Sequence, residues 1–281
     1  MTLHLAQHFG MCFGVRDALR TTFAAARQEP VTMLGQLVHN PLVDAHLQML
    51  GVRRGDLNQA DPASTTRVII SAHGASRNQK NQWRERGHLV TDTSCPLVQK
   101  AHQALALLVE EGYHPVVIGQ RQHVEVRGLV GDWPHASVLL SPAEAADIPP
   151  HPHLGVISQT TQPLDHVLRV VEAIKEQHPA AEVRFVDTVC RPTKQRQSAL
   201  ERLACICDAI VVVGGHNSNN TRQLAEKARS LGVTAHQVER PEELDPAWFS
   251  GVRHLGVTAG TSTLDETVEA VMTRLRQIAA S

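Results

Sequence analysis

Short blocks of consecutive apolar residues alternate with longer amphipathic stretches along the whole of this 281-residue chain. Six blocks stand out: VTMLG at 31–35, RVIIS at 67–71, PVVIG at 115–119, HLGVIS at 153–158, AIVVVGG at 209–215 and HLGVT at 254–258. They are rich in Val and Ile, too short for helices, and apolar at successive rather than alternate positions. That pattern predicts strands buried on both faces. The stretches between them, such as QKAHQALALLVEEG and HVLRVVEAIKEQ, repeat apolar residues at helical spacing. Buried strands alternating with helices predict an α/β fold of parallel sheets covered by helix layers.

The alternation carries a longer period. Three of the strand blocks close on Gly35, Gly119 and Gly214, and four residues beyond each stand His39, His123 and Ser218. The other three run into small polar turns: Ser71-Ala72-His73-Gly74, Ser158-Gln159-Thr160-Thr161 and Thr258-Ala259-Gly260-Thr261-Ser262. Cys12 lies 23 residues before Gly35, while Cys95 and Cys190 each lie 24 before Gly119 and Gly214. Three cysteines thus hold one place in three copies of a unit. The expected units are residues 13–95, 96–189 and 190–281, the third completed by residues 1–12. Arranged about a pseudo-threefold axis they form a trefoil of α/β units, with the strand carboxyl ends, where such sheets bind ligands, facing the axis.

Composition narrows the function. An apolar fraction of 42% supplies an ordinary core, and only 3% aromatic residues means that Val, Ile, Leu and Ala build it. A formal net charge of −1 gives no bulk attraction to nucleic acid or to anionic membrane. The opening MTLHLAQHFGMC lacks a basic segment followed by a long apolar run, and no stretch approaches a membrane span. Five cysteines, an odd number, fit a reducing compartment better than a disulfide framework. The expectation is a soluble, cytoplasmic protein.

Each of the three repeated cysteines introduces a helical stretch: Cys12 before FGVRDALRTTFAAA, Cys95 before PLVQKAHQALALLVEEG and Cys190 before RPTKQRQSALERLA. A helix N-terminus favours negative charge and so thiolate ligation. Three thiolates suit a soft metal centre. A 4Fe–4S cube takes one cysteine per iron, so three leave one iron open to a substrate oxygen. Zinc is disfavoured because no Cys-x2-Cys pair is present. Ordinary core burial explains one such cysteine more easily than three equivalent ones. Cys205 and Cys207, in ERLACICDAIVVV, are read as core.

The polar residues at the strand ends form a second set. His39, His73 and His123 stand out from the chain's 17 histidines only through their place in the repeat. Ser218, Asn219 and Asn220 precede the helix TRQLAEKARSLG, and Ser262 precedes LDETVEAVMTRLRQ. Hydroxyl and amide groups at helix starts make phosphate sites. No Walker A lysine motif and no G-x-G-x-x-G follows a strand, so the expected anion is a small diphosphate rather than a nucleotide. Glu125, placed in a turn two residues after His123, becomes a proton donor if the site is enclosed, since desolvation favours the neutral acid.

Together these segments strongly resemble the 4-hydroxy-3-methylbut-2-enyl diphosphate reductase (IspH/LytB) family. The resemblance runs through GMCFGV (10–15), LVHN (37–40), SAHG (71–74), TSCPLVQKAH (93–102), HVEV (123–126), SQTT (158–161), VCRPTKQRQ (189–197), GGHNSNNTRQL (214–224) and GVTAGTS (256–262). It implies an oxidoreductase of the non-mevalonate isoprenoid pathway that removes an allylic hydroxyl with two electrons and two protons. The implied products are isopentenyl and dimethylallyl diphosphates plus water. It further implies that Cys12, Cys95 and Cys190 hold the cluster, and that His39, His73, Ser218, Asn220 and Ser262, with the neighbouring Asn219, form the diphosphate pocket. His123, Glu125 and Thr160 then handle the substrate hydroxyl and its proton, and a ferredoxin or flavodoxin supplies electrons. Val124 stands where the family has proline, Met11 replaces a phenylalanine, and Arg191 and Pro192 alter the segment after Cys190. Two rivals are a three-cysteine dehydratase resembling quinolinate synthase and a non-enzymatic iron–sulfur sensor. The first acts on carboxylates rather than a diphosphate, and the set His39, His73, Ser218, Asn220 and Ser262 argues against it; the second would not need Glu125, Thr160 and the polar pocket together.

One prediction follows from the ligand choice. Anaerobically reconstituted protein is expected to be brown, and Cys12→Ser, Cys95→Ser or Cys190→Ser each to impair that visible absorption. Cys205→Ser and Cys207→Ser are expected to keep it; equal loss for Cys205→Ser would mean a different ligand set.

Overall fold

In a computed structural model, which describes residues 1–38, 40–59 and 65–280, the six apolar blocks are six strands. After β1 (Thr2–Leu5), one succession of elements is run through three times. The first pass is α1 (Phe13–Gln28), β2 (Val31–Leu34), α2 (Pro41–Met49), β3 (Arg53–Gly55), β4 (Arg67–Ile70), α3 (Arg77–Glu85) and β5 (Leu89–Asp92). The second is α4 (Pro96–Glu110), β6 (His114–Ile118), α5 (Val124–Val130), β7 (Ser137–Leu139), β8 (His153–Ser158), α6 (Leu164–Gln177) and β9 (Glu182–Phe185). The third is α7 (Arg191–Ala204), β10 (Ala209–Val213), α8 (Asn219–Ser230), β11 (Thr234–Val238), β12 (His254–Ala259) and α9 (Asp265–Ala280).

Among the described residues three four-stranded sheets result, ordered β3-β2-β4-β5, β7-β6-β8-β9 and β11-β10-β12-β1, and every pairing is parallel. The third pass lacks a closing strand of its own, and β1 fills that position beside β12, Thr2 opposite His254. Equivalent glycines close β2, β6 and β10: Gly35, Gly119 and Gly214 donate their N–H to Gly55, Leu139 and Val238 on the adjoining strand. Gly35 and Gly214 sit at φ +91° and +145°, which a side chain resists.

The chain forms two compact units. One comprises Met1–Val15, His39–Leu42 and Arg191–Ser281; the other comprises Arg16–Val38 and Val43–Cys190. In the first, alternate residues of one strand serve opposite faces. Val211, Val213 and Val257 pack on Val268, Val271 and Leu275 of α9, while Ile210 and Val212 pack on Leu200 and Leu203 of α7 and Leu224 of α8. In the second, Val116, Ile118 and Val156 meet Val167, Val170 and Ile174 of α6. On the opposite face Val117 and Ile157 meet Leu105 of α4 and Leu129 of α5. Burial of both faces is why these strands read as unbroken apolar runs. The smaller sheet of this unit gathers Leu34, Val68 and Ile70 around Trp83, fully buried with its Nε1–H on Leu57 O at 2.9 Å.

Two readings of the sequence need correction. Cys205 is exposed rather than core, because it falls in the turn that ends α7; Cys207, two residues on, is buried. Glu125 lies in the first turn of α5 and not in an irregular turn. Its helix VEVRGLV is short and carries valines and a glycine, so helical propensity hides it. Among the described residues no helix is long and apolar enough to cross a membrane.

Candidate functional site

Each expected cysteine immediately precedes a helix: Cys12 before α1, Cys95 before α4 with Pro96 in its first turn, Cys190 before α7. All three have intermediate exposure. They share one backbone bond. The N–H of Cys12 donates to Thr261 O (3.1 Å), that of Cys95 to Ala72 O (3.0 Å) and that of Cys190 to Thr160 O (2.9 Å). Each acceptor stands two residues beyond the third strand of its sheet, past Ala259, Ile70 and Ser158. The turn after that strand therefore fixes where each thiol emerges. By contrast, burial foremost, with Asp208 adding to it, pushes the Cys207 thiol up to about 11, which disfavours it as a thiolate ligand.

In the unit containing residues 43–190, the turn after β8 also meets the expected acid. Glu125 is 2% exposed. Its Oε1 accepts the Thr160 N–H at 2.6 Å, and the Thr160 hydroxyl bonds the same carboxyl. Burial pushes Glu125 up to about 7, against the opposing pull of the two Thr160 bonds. Thr160 thus joins the carboxyl, through its N–H, to Cys190, through its carbonyl.

His123 is the N-cap of α5, with Nδ1 accepting the Glu125 N–H at 3.2 Å. His73 lies edge-on to it, ring centroids 5.5 Å apart. Two glycines pack closely nearby. A Cβ on Gly128 would stand 3.3 Å from Ala75 Cα, and one on Gly74 (φ +80°) would stand 3.1 Å from Val98 and 3.4 Å from His102. Gln159, fully buried, accepts from Gln120 N at 3.1 Å and from Gln162 Nε2 at 3.0 Å, so it ties the turn bearing Thr160 to the loop after β6.

In the unit built on α7–α9, the polar group assembles at the start of α8. Ser218 is the N-cap and accepts from Thr221 N at 3.4 Å. Asn219 and Asn220, expected ahead of the helix, lie within its first turn, since the cap falls two residues earlier than the TRQLAEKARSLG pattern indicates. Asn220 Oδ1 accepts the Thr261 N–H at 2.9 Å, and Ser262 Oγ lies 3.4 Å from Ser218 Oγ. All four expected residues here are buried. Asn40 joins them: its Nδ2 donates to Ser262 O at 2.7 Å. His39 lies outside the described residues.

Sequence reasoning passed over Asn40, although it stands next to His39, and Gln159, although it stands next to Thr160. It also missed a surface group, His216, Glu239 and Glu243, whose ligand atoms lie within 4.8 Å of one another. His216 N donates to Glu239 at 2.6 Å and its Nε2 pairs with Glu243 at 3.2 Å, which ties the loop after β10 to the loop after β11.

The family model described as "LytB protein" matches residues 3–276. The chain is similar to the 4-hydroxy-3-methylbut-2-enyl diphosphate reductase of Geobacter metallireducens, 37% identical over 281 residues, which covers 99% of this chain and 98% of that one. Its structure resembles the E-1-hydroxy-2-methyl-but-2-enyl-4-diphosphate reductase of Plasmodium falciparum, with TM-score 0.89, 27% identity, and coverage of 96% of this chain and 86% of that one. It also resembles a solved (E)-4-hydroxy-3-methyl-but-2-enyl diphosphate reductase described as the terminal enzyme of the non-mevalonate pathway, with TM-score 0.69, 32% identity, and coverage of 99% and 100%.

The Glu125 geometry makes a prediction about pH. In the unfolded chain this carboxyl titrates near its ordinary 4.5, and in the fold near 7. The folded state therefore holds a proton that the unfolded state releases, and this contribution to stability is lost as pH rises through that window. The stability of wild type to denaturant is expected to fall between about pH 4.5 and pH 7 relative to Glu125→Gln. Parallel pH profiles for the two proteins would show that Glu125 is ionised throughout.

Proposed function

The chain belongs to the LytB protein family, and from that premise we propose that it reduces 4-hydroxy-3-methylbut-2-enyl diphosphate to isopentenyl and dimethylallyl diphosphates. The C–O bond of the allylic alcohol breaks, two electrons and two protons are taken up, and the oxygen leaves as water. The observation that carries the site assignment is a buried carboxyl, Glu125, bonded to the turn that also anchors Cys190.

Cys12, Cys95 and Cys190 would hold a 4Fe–4S cluster with one iron left without a cysteine. Support comes from the donor set: three half-buried thiols, each at a helix N-terminus and each braced by the same backbone bond. When bound, the cluster supplies the electrons, delivered by a small donor such as a ferredoxin or flavodoxin. A reducing compartment, the cytoplasm, suits such a centre. The pseudo-threefold reading of units 13–95, 96–189 and 190–281 with 1–12 draws support from the shared strand order of the three sheets.

The remaining residues bind, orient and move protons. Ser218, Asn219, Asn220 and Ser262 offer hydroxyls and amides at the start of α8, where the helix dipole favours the diphosphate. His73 joins them in this reading, as does His39 on sequence grounds. Thr160 and His123 orient the substrate hydroxyl. Glu125, kept neutral by burial, delivers the proton that lets this oxygen depart as water. The start of α5 holds the carboxyl in place of the proline that Val124 replaces.

Two outcomes test these roles in an anaerobic assay with the allylic diphosphate and a chemical reductant. Glu125→Gln keeps size and polarity but removes the acid, so turnover is expected to fall about 10²–10⁴-fold with little change in substrate affinity. Wild-type turnover in this variant would show that the proton comes from elsewhere. Ser262→Ala and Asn220→Ala each lose a bond to a charged group, worth roughly 1.5–3 kcal/mol, and are expected to weaken diphosphate binding about 10- to 150-fold with cluster colour intact. Equal affinity for the alcohol lacking its diphosphate would overturn the pocket.

A further inference from the structure

The loops that deliver Cys95 and Cys190 are built alike. An aspartate three positions ahead of the cysteine accepts the N–H two residues on: Asp92 from Ser94 N at 3.0 Å, Asp187 from Val189 N at 3.1 Å. This is an Asx-turn, in which a short side chain stands in for a backbone acceptor. The threonine that follows turns its hydroxyl onto a carbonyl at the end of the neighbouring strand. Thr93 donates to Ile70 O at 2.5 Å and Thr188 to Ser158 O at 2.6 Å. Two side-chain bonds thus lock each of these segments.

The corresponding segment ahead of Cys12 is Phe9-Gly10-Met11. Phe9 stands for the aspartate and Gly10 for the threonine, so both locking side chains are gone. The backbone course is nonetheless kept: Gly10 N donates to Ala259 O at 3.2 Å, as Thr93 N does to Ile70 O at 3.2 Å. Gly10 sits at φ +67°, where the chain has most freedom to lose.

The compensating side chain comes from α7. Arg196 is buried, and its guanidinium forks: Nη2 donates to Gly10 O and Nη1 to Pro192 O at 2.9 Å. A guanidinium holds two acceptors in fixed directions at once. With Cys12, Phe13 and Pro192 it lines a cavity of about 270 Å³. We propose that Arg196 is the positioning residue for Cys12, fixing through Gly10 and the first turn of α7 the segment that an aspartate and a threonine fix at the other two cysteines. Its consequence for a cluster rests on the function proposed above; the brace itself does not.

The test compares iodoacetamide labelling of the individual cysteines in full-length metal-free protein, followed by peptide mass spectrometry. Arg196→Lys keeps the charge but loses the fork, and Arg196→Gln loses both. In each, Cys12 is expected to label about tenfold faster than in wild type, with Cys95 and Cys190 unchanged, since a charge-assisted bond is lost at one loop only. The mirror variant Thr188→Val is expected to speed Cys190 and leave Cys12 alone. Unchanged Cys12 labelling in Arg196→Lys, or all three cysteines speeding up together, would overturn the proposal; the lysine and Thr188 variants carry the test if the glutamine variant fails to fold. In reconstituted protein, Arg196→Lys is expected to lose its visible absorption to an iron chelator about tenfold faster than wild type, and an equal rate counts against the brace. A wild-type chain that takes up no iron and sulfide would sink the cluster reading, while the labelling pattern would still decide the role of Arg196.

Discussion

The arrangement depends on one backbone hydrogen bond made three times, from a cysteine N–H to the carbonyl two residues past the third strand of each sheet. It sets the point at which a thiol leaves the sheet and a helix begins. In a parallel sheet, strand carboxyl ends and the starts of the following helices lie at the same edge. A bond at that edge therefore places a nucleophilic or ligating side chain on a helix dipole with no further machinery. The acceptors Thr261, Ala72 and Thr160 are also neighbours of the residues proposed for the site: Ser262, His73 and Glu125 lie beside or against them. The proposed ligands and the proposed substrate groups are consequently placed by the same three turns.

Around Thr160 this coupling becomes electrostatic. A buried carboxylate is costly, and Glu125 meets the cost by holding its proton to about pH 7. The carboxyl is also oriented, because the Thr160 N–H and hydroxyl both reach it while the Thr160 carbonyl receives Cys190. The carboxyl of Glu125 and the backbone of Cys190 are thus bonded to two ends of one residue. Gln159 and the close approach of Gly128 to Ala75 keep the adjoining loops from drifting.

Much of this was legible in the chain. Strands buried on both faces announce themselves as the runs AIVVV and HLGVIS, and the spacing from cysteine to glycine exposes the repeat. The illegible parts have physical reasons. The helix after His123 is seven residues long and held by a histidine cap rather than by propensity, so Glu125 read as part of a turn. Cys205 sits among apolar neighbours in sequence, but the end of α7 turns it outward. The buried Arg196 reads as one more cation on a basic helix start, since nothing in RPTKQRQ marks which arginine faces inward. One signal was present and went unread: DTSC and DTVC precede two of the cysteines, and FGMC breaks the pattern at the third.

The central claim is that three equivalently presented thiols hold an iron–sulfur cluster in which one iron differs from the rest. Mössbauer spectroscopy of the full-length chain, reconstituted anaerobically with isotopically enriched iron and titrated with the allylic diphosphate, tests it most directly. The account predicts a four-iron cluster with one iron site resolved from the others, and a change confined to that site when the diphosphate is added. A two-iron centre, four indistinguishable irons that ignore the substrate, or a chain that takes up zinc in place of iron would contradict it.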